Sequence, residues 1–127
     1  MDHFRADDLT IETSQAPGGP LVLTWRGRSN LRDPGKALRP FFDLAVTEAA
    51  RTGHGIEMRF QHLDSFNSST ITALVRLVRT LHAARVGLVV QFDGRIRAQR
   101  LSFEALQPLE TPGVVTRFVD VSARAGP

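Results

Sequence analysis

The sequence contains no cysteine and no tyrosine, and Lys36 is its single lysine. Without cysteine the chain has no disulfide framework, no thiolate zinc site and no thiol nucleophile. No stretch approaches the ~20 consecutive apolar residues of a transmembrane helix. The first ten residues, MDHFRADDLT, are acidic and mixed, unlike a signal peptide. We therefore expect a cytoplasmic protein that does not associate with a membrane.

The high isoelectric point of about 10.9 is weak evidence for a nucleic-acid partner. The net charge is only +3, and almost nothing titrates between neutrality and the arginines, so a small excess of positive charge raises the isoelectric point steeply. The sequence has no basic run interleaved with aromatic residues, as single-strand binding surfaces have. We therefore expect no nucleic-acid partner.

The sequence also has little that indicates catalysis or a cofactor. Four scattered histidines without cysteine do not predict a metal site. The G-x-S-x-G pattern of an esterase nucleophile is missing around the serines. Asp64 and Asp93 come at the ends of predicted strands, where solvated turn aspartates are common. We therefore expect a protein that is not an enzyme and that holds neither a metal nor a cofactor.

Hydrophobic periodicity predicts one domain over residues 1–121 and a disordered tail over 122–127. Alternating or buried segments predict five strands, at 8–13, 21–27, 55–63, 86–93 and 113–121. Helical spacing predicts three helices, at 38–51, 70–85 and 98–110, with Pro40 near the first turn of the first. The strand at 55–63 alternates, which places His62 on its inward side. These elements predict an α/β, two-layer domain with a mixed sheet of about five strands and helices mainly on one face.

The stretch FNSST, residues 66–70, lies where a strand gives way to the second helix. If Asn67 is the N-cap, Phe66 and Ile71 have the spacing of a hydrophobic staple. That arrangement assigns capping to Asn67 and leaves the hydroxyl of Ser68 unneeded for folding. The stretch could equally be a cap and nothing more, in which case the protein is a constitutive scaffold.

Ser68 at the first helical position could carry a charge switch. A phosphate there adds about −1.5 to −2 charges beside free backbone N–H groups, at the positive end of the helix dipole. The domain would tolerate that group. A partner with an apolar or acidic surface at this point would not tolerate it, so modification would separate the two proteins.

Residues 62–81, HLDSFNSSTITALVRLVRTL, resemble the signature of STAS domains, the anti-anti-sigma-factor fold. The longer pattern resembles the SiaC-type regulatory phosphoproteins of bacteria, over about residues 20–121. Its three motifs are Gly27-Arg28-Ser29, Pro40 to Leu44 and Phe66 to Thr70, in that order. The resemblance implies a STAS-like sheet with helices packed mainly on one side.

The resemblance also implies a signal-transduction role by partner switching. A dedicated Ser/Thr kinase would phosphorylate the residue after the asparagine, which is Ser68, and a PP2C-type phosphatase would restore it. Ser69 and Thr70 are further candidates for phosphorylation. Most anti-sigma-factor antagonists have Asp and Gly around the serine pair, whereas this chain has Asn67 and Thr70. That difference favours the SiaC-like branch, whose effector can be a diguanylate cyclase, and an anti-sigma factor is the other candidate effector.

Two surfaces follow from these considerations. The expected partner-binding surface is the start of the second helix with an arginine rim, comprising Asp64, Ser65, Phe66, Asn67, Ser68, Ser69, Thr72, Arg76 and Arg79. As an alternative function, Arg95, Arg97 and Arg100 could form a binding site for a nucleotide or another small anionic ligand.

Overall fold

Seven strands and three α-helices make up the part of the chain that the structure, a computed structural model, describes: residues 1–110 and 116–122. The strands are β1 (Phe4–Ala6), β2 (Leu9–Ser14), β3 (Leu21–Ser29), β4 (Ile56–Arg59), β5 (Leu63–Phe66), β6 (Leu88–Phe92) and β7 (Thr116–Asp120). The helices are α1 (Pro34–Thr52), α2 (Ser68–Ala84) and α3 (Arg97–Ala105), and a 3₁₀ turn follows at Gln107–Leu109. Predicted strand residues 113–115 and predicted tail residues 123–127 lie outside the described residues.

All seven strands belong to one mixed sheet. Its order is β1-β2-β3-β4-β6-β7, and β5 also pairs with β3. The β1–β2 and β2–β3 pairs are antiparallel, and the other pairs are parallel. The first half of β3 pairs with β4 and its last three residues pair with β5, so β3 carries both. The mixed sheet is confirmed, but the predicted number of about five strands is too low.

The predicted strand at 55–63 is in fact two strands separated by a turn. The turn lies at Gln61 and His62 and is closed by a 2.9 Å hydrogen bond from the Leu63 amide to the Phe60 carbonyl. Because the strand stops before His62, the alternation no longer applies to it. His62 is exposed, and its predicted inward orientation is wrong.

One face of the sheet and the three helices enclose a single core. Inward side chains of the strands and the buried side chains of the helices form one hydrophobic cluster, in which Leu23, Trp25 and Met58 are almost fully buried. On the other face Glu57 and Arg59 form an ion pair and remain partly exposed. The predicted two-layer α/β arrangement, with the helices on one face, is therefore confirmed.

Helix α1 begins four residues before the predicted start. The Asp33 side chain accepts a hydrogen bond from the Lys36 amide at 3.1 Å, and Pro34 occupies the first turn, where its missing N–H has no cost. Pro40 therefore lies inside the helix, at the seventh position, and its predicted place near the first turn is wrong. The helix ends at Gly53 with φ 75°, as expected of a C-terminal glycine.

Candidate functional site

Asn67 caps α2, as predicted. Its φ of −96° and ψ of 169° are extended, and its Oδ1 atom accepts a hydrogen bond from the Thr70 amide at 2.9 Å. The Nδ2 group donates to the Leu31 carbonyl at 3.2 Å. The Asn67 amide donates to the Ser29 carbonyl at 3.1 Å. One residue thus joins the end of β3, the loop before α1 and the start of α2.

Thr70 belongs to this network and is fully buried. Its Oγ1 atom lies 2.8 Å from Asn67 Oδ1 and 2.7 Å from Ser29 Oγ. Because Asn67 Oδ1 can only accept, the Thr70 hydroxyl donates to it and accepts from the Ser29 hydroxyl. A kinase cannot reach a buried hydroxyl that is already hydrogen-bonded on both sides, so Thr70 is not an accessible site for phosphorylation.

Ser29 is a residue of this site that the sequence did not single out on its own. It is fully buried at the end of β3, and its carbonyl and hydroxyl both contact the capping network. Hydrophobic periodicity does not reveal a single buried serine at the end of a strand. Its sequence signal was its membership of the Gly27-Arg28-Ser29 motif, whose order relative to FNSST formed part of the family resemblance.

Ser68 and Ser69 are both exposed, but they face different surroundings. Ser68 is the first residue of α2, and its hydroxyl makes no hydrogen bond within residues 1–110 and 116–122. Its carbonyl accepts from the Thr72 hydroxyl at 3.2 Å. Ser69 lines a cavity of about 200 Å³ together with Arg32 and Arg76. The two serines are therefore not equivalent positions.

The other predicted partner-binding residues lie in β5, just before α2, and along one face of α2. Asp64 and Ser65 are exposed in β5, and the Phe66 ring lies 5.8 Å from the Phe103 ring. On α2, the exposed residues Ser69, Thr72, Arg76 and Arg79 follow one another at three- and four-residue spacing. They therefore occupy one face of the helix. The predicted set thus extends about 15 Å along α2, from Ser69 to Arg79, and two of its members, Phe66 and Asn67, are partly buried.

Two of the three arginines of the alternative ligand site already contact the turn after β6. Arg95 forms an ion pair with Asp93, with 3.0 Å between Nη2 and Oδ2. The hydrogen bond from Arg95 lowers the pKa of the Asp93 carboxyl, against the opposing effect of its burial, and the same bond raises the pKa of Arg95. Arg100 donates to the Gly94 carbonyl at 3.5 Å, and Arg97 is the exposed first residue of α3. One of the three cations is thus already neutralised.

The turn after β6 is tied to the end of β7. The Gly94 amide donates to Asp120 Oδ1 at 2.9 Å, and the Ser122 hydroxyl donates to the same atom at 2.6 Å. The Ser122 hydrogen bond lowers the pKa of the Asp120 carboxyl, while burial opposes the change. A Cβ on Gly94 would meet the Asp120 carboxylate, so a larger residue at this position would displace that side chain. These contacts give Asp93 and Asp120 structural roles.

Comparison with known proteins gives a likeness in structure but none in sequence. No family model matches the chain, and no curated protein matches it. A solved structure described as the anti-sigma factor antagonist SpoIIAA in its unphosphorylated form is similar, with a TM-score of 0.49 and 14% sequence identity. The similarity covers 64% of this chain and 71% of that chain.

Across residues 1–110 and 116–122, no helix combines the length and the apolar character needed to cross a membrane. Within the same ranges, no three side chains of the histidine, cysteine, aspartate and glutamate types are grouped so that they could hold a metal ion.

We expect Asn67→Ala to lower the free energy of unfolding by about 2 kcal/mol. The substitution removes the cap of α2, the donor to the Leu31 carbonyl and the acceptor of the Thr70 hydroxyl. Urea denaturation followed by circular dichroism measures the change. Asn30→Ala, an exposed neighbour, is the matched control and should stay within about 0.5 kcal/mol of wild type. Equal effects of both substitutions would contradict the capping role.

Proposed function

We propose that this chain is a non-enzymatic regulatory protein, STAS-like and closest to the SiaC type, that works by phosphorylation-controlled partner binding. Ser68 is the phosphoacceptor in this proposal. The observation that supports it is that Asn67 makes the capping hydrogen bond at the start of α2, whereas the Ser68 hydroxyl is exposed and free.

The surroundings of Ser68 favour a phosphate. The amides of Ser68 and Ser69 make no hydrogen bond within the described residues, whereas the Thr70 amide is bound by Asn67. Unpaired amides and the positive end of the helix dipole both stabilise a negative group at this point. The modification therefore adds charge to the surface without breaking a contact of the fold.

The proposed cycle needs three protein partners. A Ser/Thr kinase adds the phosphate, a PP2C-type phosphatase removes it, and an effector binds the unmodified form in the cytoplasm. The effector is an anti-sigma factor or a diguanylate cyclase. Arg76 and Arg79, exposed on the same face of α2, form the rim of the effector surface and would speed encounter with an acidic partner.

We expect Ser68→Asp to weaken effector binding at least about 30-fold, which is about 2 kcal/mol. The reason is that a charge at this position would be desolvated against the effector. Ser68→Ala should bind like wild type. The measurement is affinity capture from the native host with quantitative mass spectrometry, followed by titration of the recovered effector.

The control for charge alone is Ser14→Asp, at an exposed strand end far along the chain from α2. It should leave binding unchanged. The unfolding free energy of Ser68→Asp should stay within about 0.5 kcal/mol of wild type. If Ser68→Asp unfolds the domain, the serine is structural and the proposal fails. If intact mass of the protein from its host never shows a phosphoform under any growth condition, the chain is a constitutive scaffold.

A further inference from the structure

A groove runs between α1 and α2 and ends at Ser69. It consists of two adjoining cavities of about 380 and 200 Å³. The two cavities share Gly35, Ala73 and Arg76 as lining residues, so they lie side by side along the contact between the helices. Gly35 and Ala73 are small, which leaves space where larger side chains would fill the contact between the helices.

The groove is elongated. Its α2 wall extends from Ser69 to Thr80, a rise of about 16 Å at the helical spacing of ~1.5 Å per residue. An extended peptide covers that distance with about five residues at ~3.3 Å each. The shape therefore fits a short stretch of polypeptide better than a compact small molecule.

The floor of the groove is apolar. Phe42, Ala73 and Leu77 line it with exposed fractions of 7%, 5% and 4%, and Val46 is partly buried beside them. Each of these side chains also belongs to the core or packs against it. The floor is thus rigid, and it can accept one or two apolar side chains of an occupant.

The rim of the groove is basic. Arg32, Arg39 and Arg76 line it and make no ion pair within residues 1–110 and 116–122. Arg76 Nη1 lies over the start of α1, 3.7 Å from where a Cβ on Gly35 would be. The lining carboxylates are Asp33, which is engaged in capping α1, and Asp43. Three arginines against two carboxylates leave the lining with a net charge of +1 around an apolar floor.

We propose that the groove binds an acidic segment of a partner protein in extended conformation. Carboxylates of the segment pair with Arg32, Arg39 and Arg76, and an apolar side chain of the segment lies on Phe42 and Leu77. The proposal deepens the function proposed above, and it rests on that function for the view that the occupant is a protein. Because Ser69 forms one end of the groove, the segment would end beside the switch residue, Ser68.

Amide shift mapping tests the groove directly. The probe is a capped, glutamate-rich peptide with a central phenylalanine, added to the nitrogen-15-labelled protein, and its glutamine-substituted analogue is the control for charge. We expect shifts concentrated over residues 35–46 and 69–80. We expect the affinity to fall about tenfold in Arg76→Glu and to weaken with added salt, as for other charge-steered contacts. Arg97→Glu, an exposed arginine on α3, should bind like wild type.

Three results would overturn the proposal. The first is a set of shifts spread over the arginines of α3 or absent from the groove. The second is equal binding of the glutamine analogue. The third is binding of ATP or pyrophosphate in the groove where the peptide does not bind, because this identifies a small-anion site.

The groove and the serine switch can fail separately. If the peptide binds the groove but Ser68→Asp keeps the effector, the groove stands and the switch fails. If Ser68→Asp loses the effector while Arg76→Glu keeps both effector and peptide, the switch stands and the groove fails.

Discussion

Phe103→Ala is expected to lower the free energy of unfolding by about 4 kcal/mol, the largest loss that we predict for a single substitution. The Phe103 side chain on α3 is 1% exposed. Its ring centroid lies 4.9 Å from that of Phe60, 5.4 Å from Phe92, 5.8 Å from Phe66 and 6.5 Å from Phe118. Removing the ring leaves a cavity where β4, β5, β6 and β7 meet α3, and closely packed surroundings cannot collapse to fill it.

Chemical denaturation monitored by circular dichroism measures this loss. Leu101→Ala on the same helix is the matched control, because Leu101 is 53% exposed. It should change stability by less than about 0.5 kcal/mol. A loss of under about 1.5 kcal/mol for Phe103→Ala would show that the aromatic cluster is not packed as described.

Gln99→Met should lower the free energy of unfolding by about 3 kcal/mol, through lost hydrogen bonds and not through lost volume. Gln99 is fully buried. Its Nε2 group donates to the carbonyls of Phe60 at 2.6 Å and Leu63 at 3.0 Å, and its Oε1 accepts from the Asp93 amide at 2.8 Å. Methionine has a similar length but offers no donor, so three backbone groups each lose a hydrogen bond, and the Phe60 carbonyl keeps only the one from the Leu63 amide.

Amide exchange locates the damage from this substitution. Protection should fall most over residues 63–66, because Gln99 holds the turn from which β5 starts. Gln107→Met, at an exposed position just beyond α3, is the control and should leave stability and exchange unchanged. A loss confined to α3, with β5 still protected, would mean that the turn closes without Gln99.

Local patterns predicted the layers of the fold, but not the division of its central strand. Alternation at Leu21, Leu23 and Trp25 places these residues in the core, and it does so correctly. The same alternation continues through Phe60 and gives no sign that the strand ends there. The turn depends on Gln99, 36 residues away from Leu63, so its stabilising contact is invisible in the local pattern.

At the start of α2, too, features set by neighbouring residues could be predicted, whereas features set by distant residues could not. Asn67 was predictable as the cap because its partner is three residues away. The burial of Thr70 was not predictable, because its hydroxyl contacts Ser29, 41 residues earlier. The packing of α2 also decides which of its apolar residues are buried. Leu77 and Ala73 are buried, whereas Ile71 and Val75 remain partly accessible.

The sequence does contain a signal for the start of α1 at Pro34. Asp followed by Pro is a frequent pair at the N-cap and first position of a helix, as at Asp33 and Pro34. The prediction instead placed Pro40 near the first turn, which moved the expected start too far along the chain. An interior proline leaves the carbonyl four residues earlier, that of Lys36, without its helical donor. The first turn of α1 is exposed at Lys36, so water can take that place.

The bond from Asn67 to the Leu31 carbonyl has a mechanical consequence. Leu31 immediately precedes Arg32, so a single amide side chain connects the front of one helix to a cation at the mouth of the depression beside it. An event that tilts this asparagine moves both together. A covalent change at Ser68 that reorients Asn67 would therefore also shift Arg32 at the groove, through one side chain and without rearrangement of the sheet.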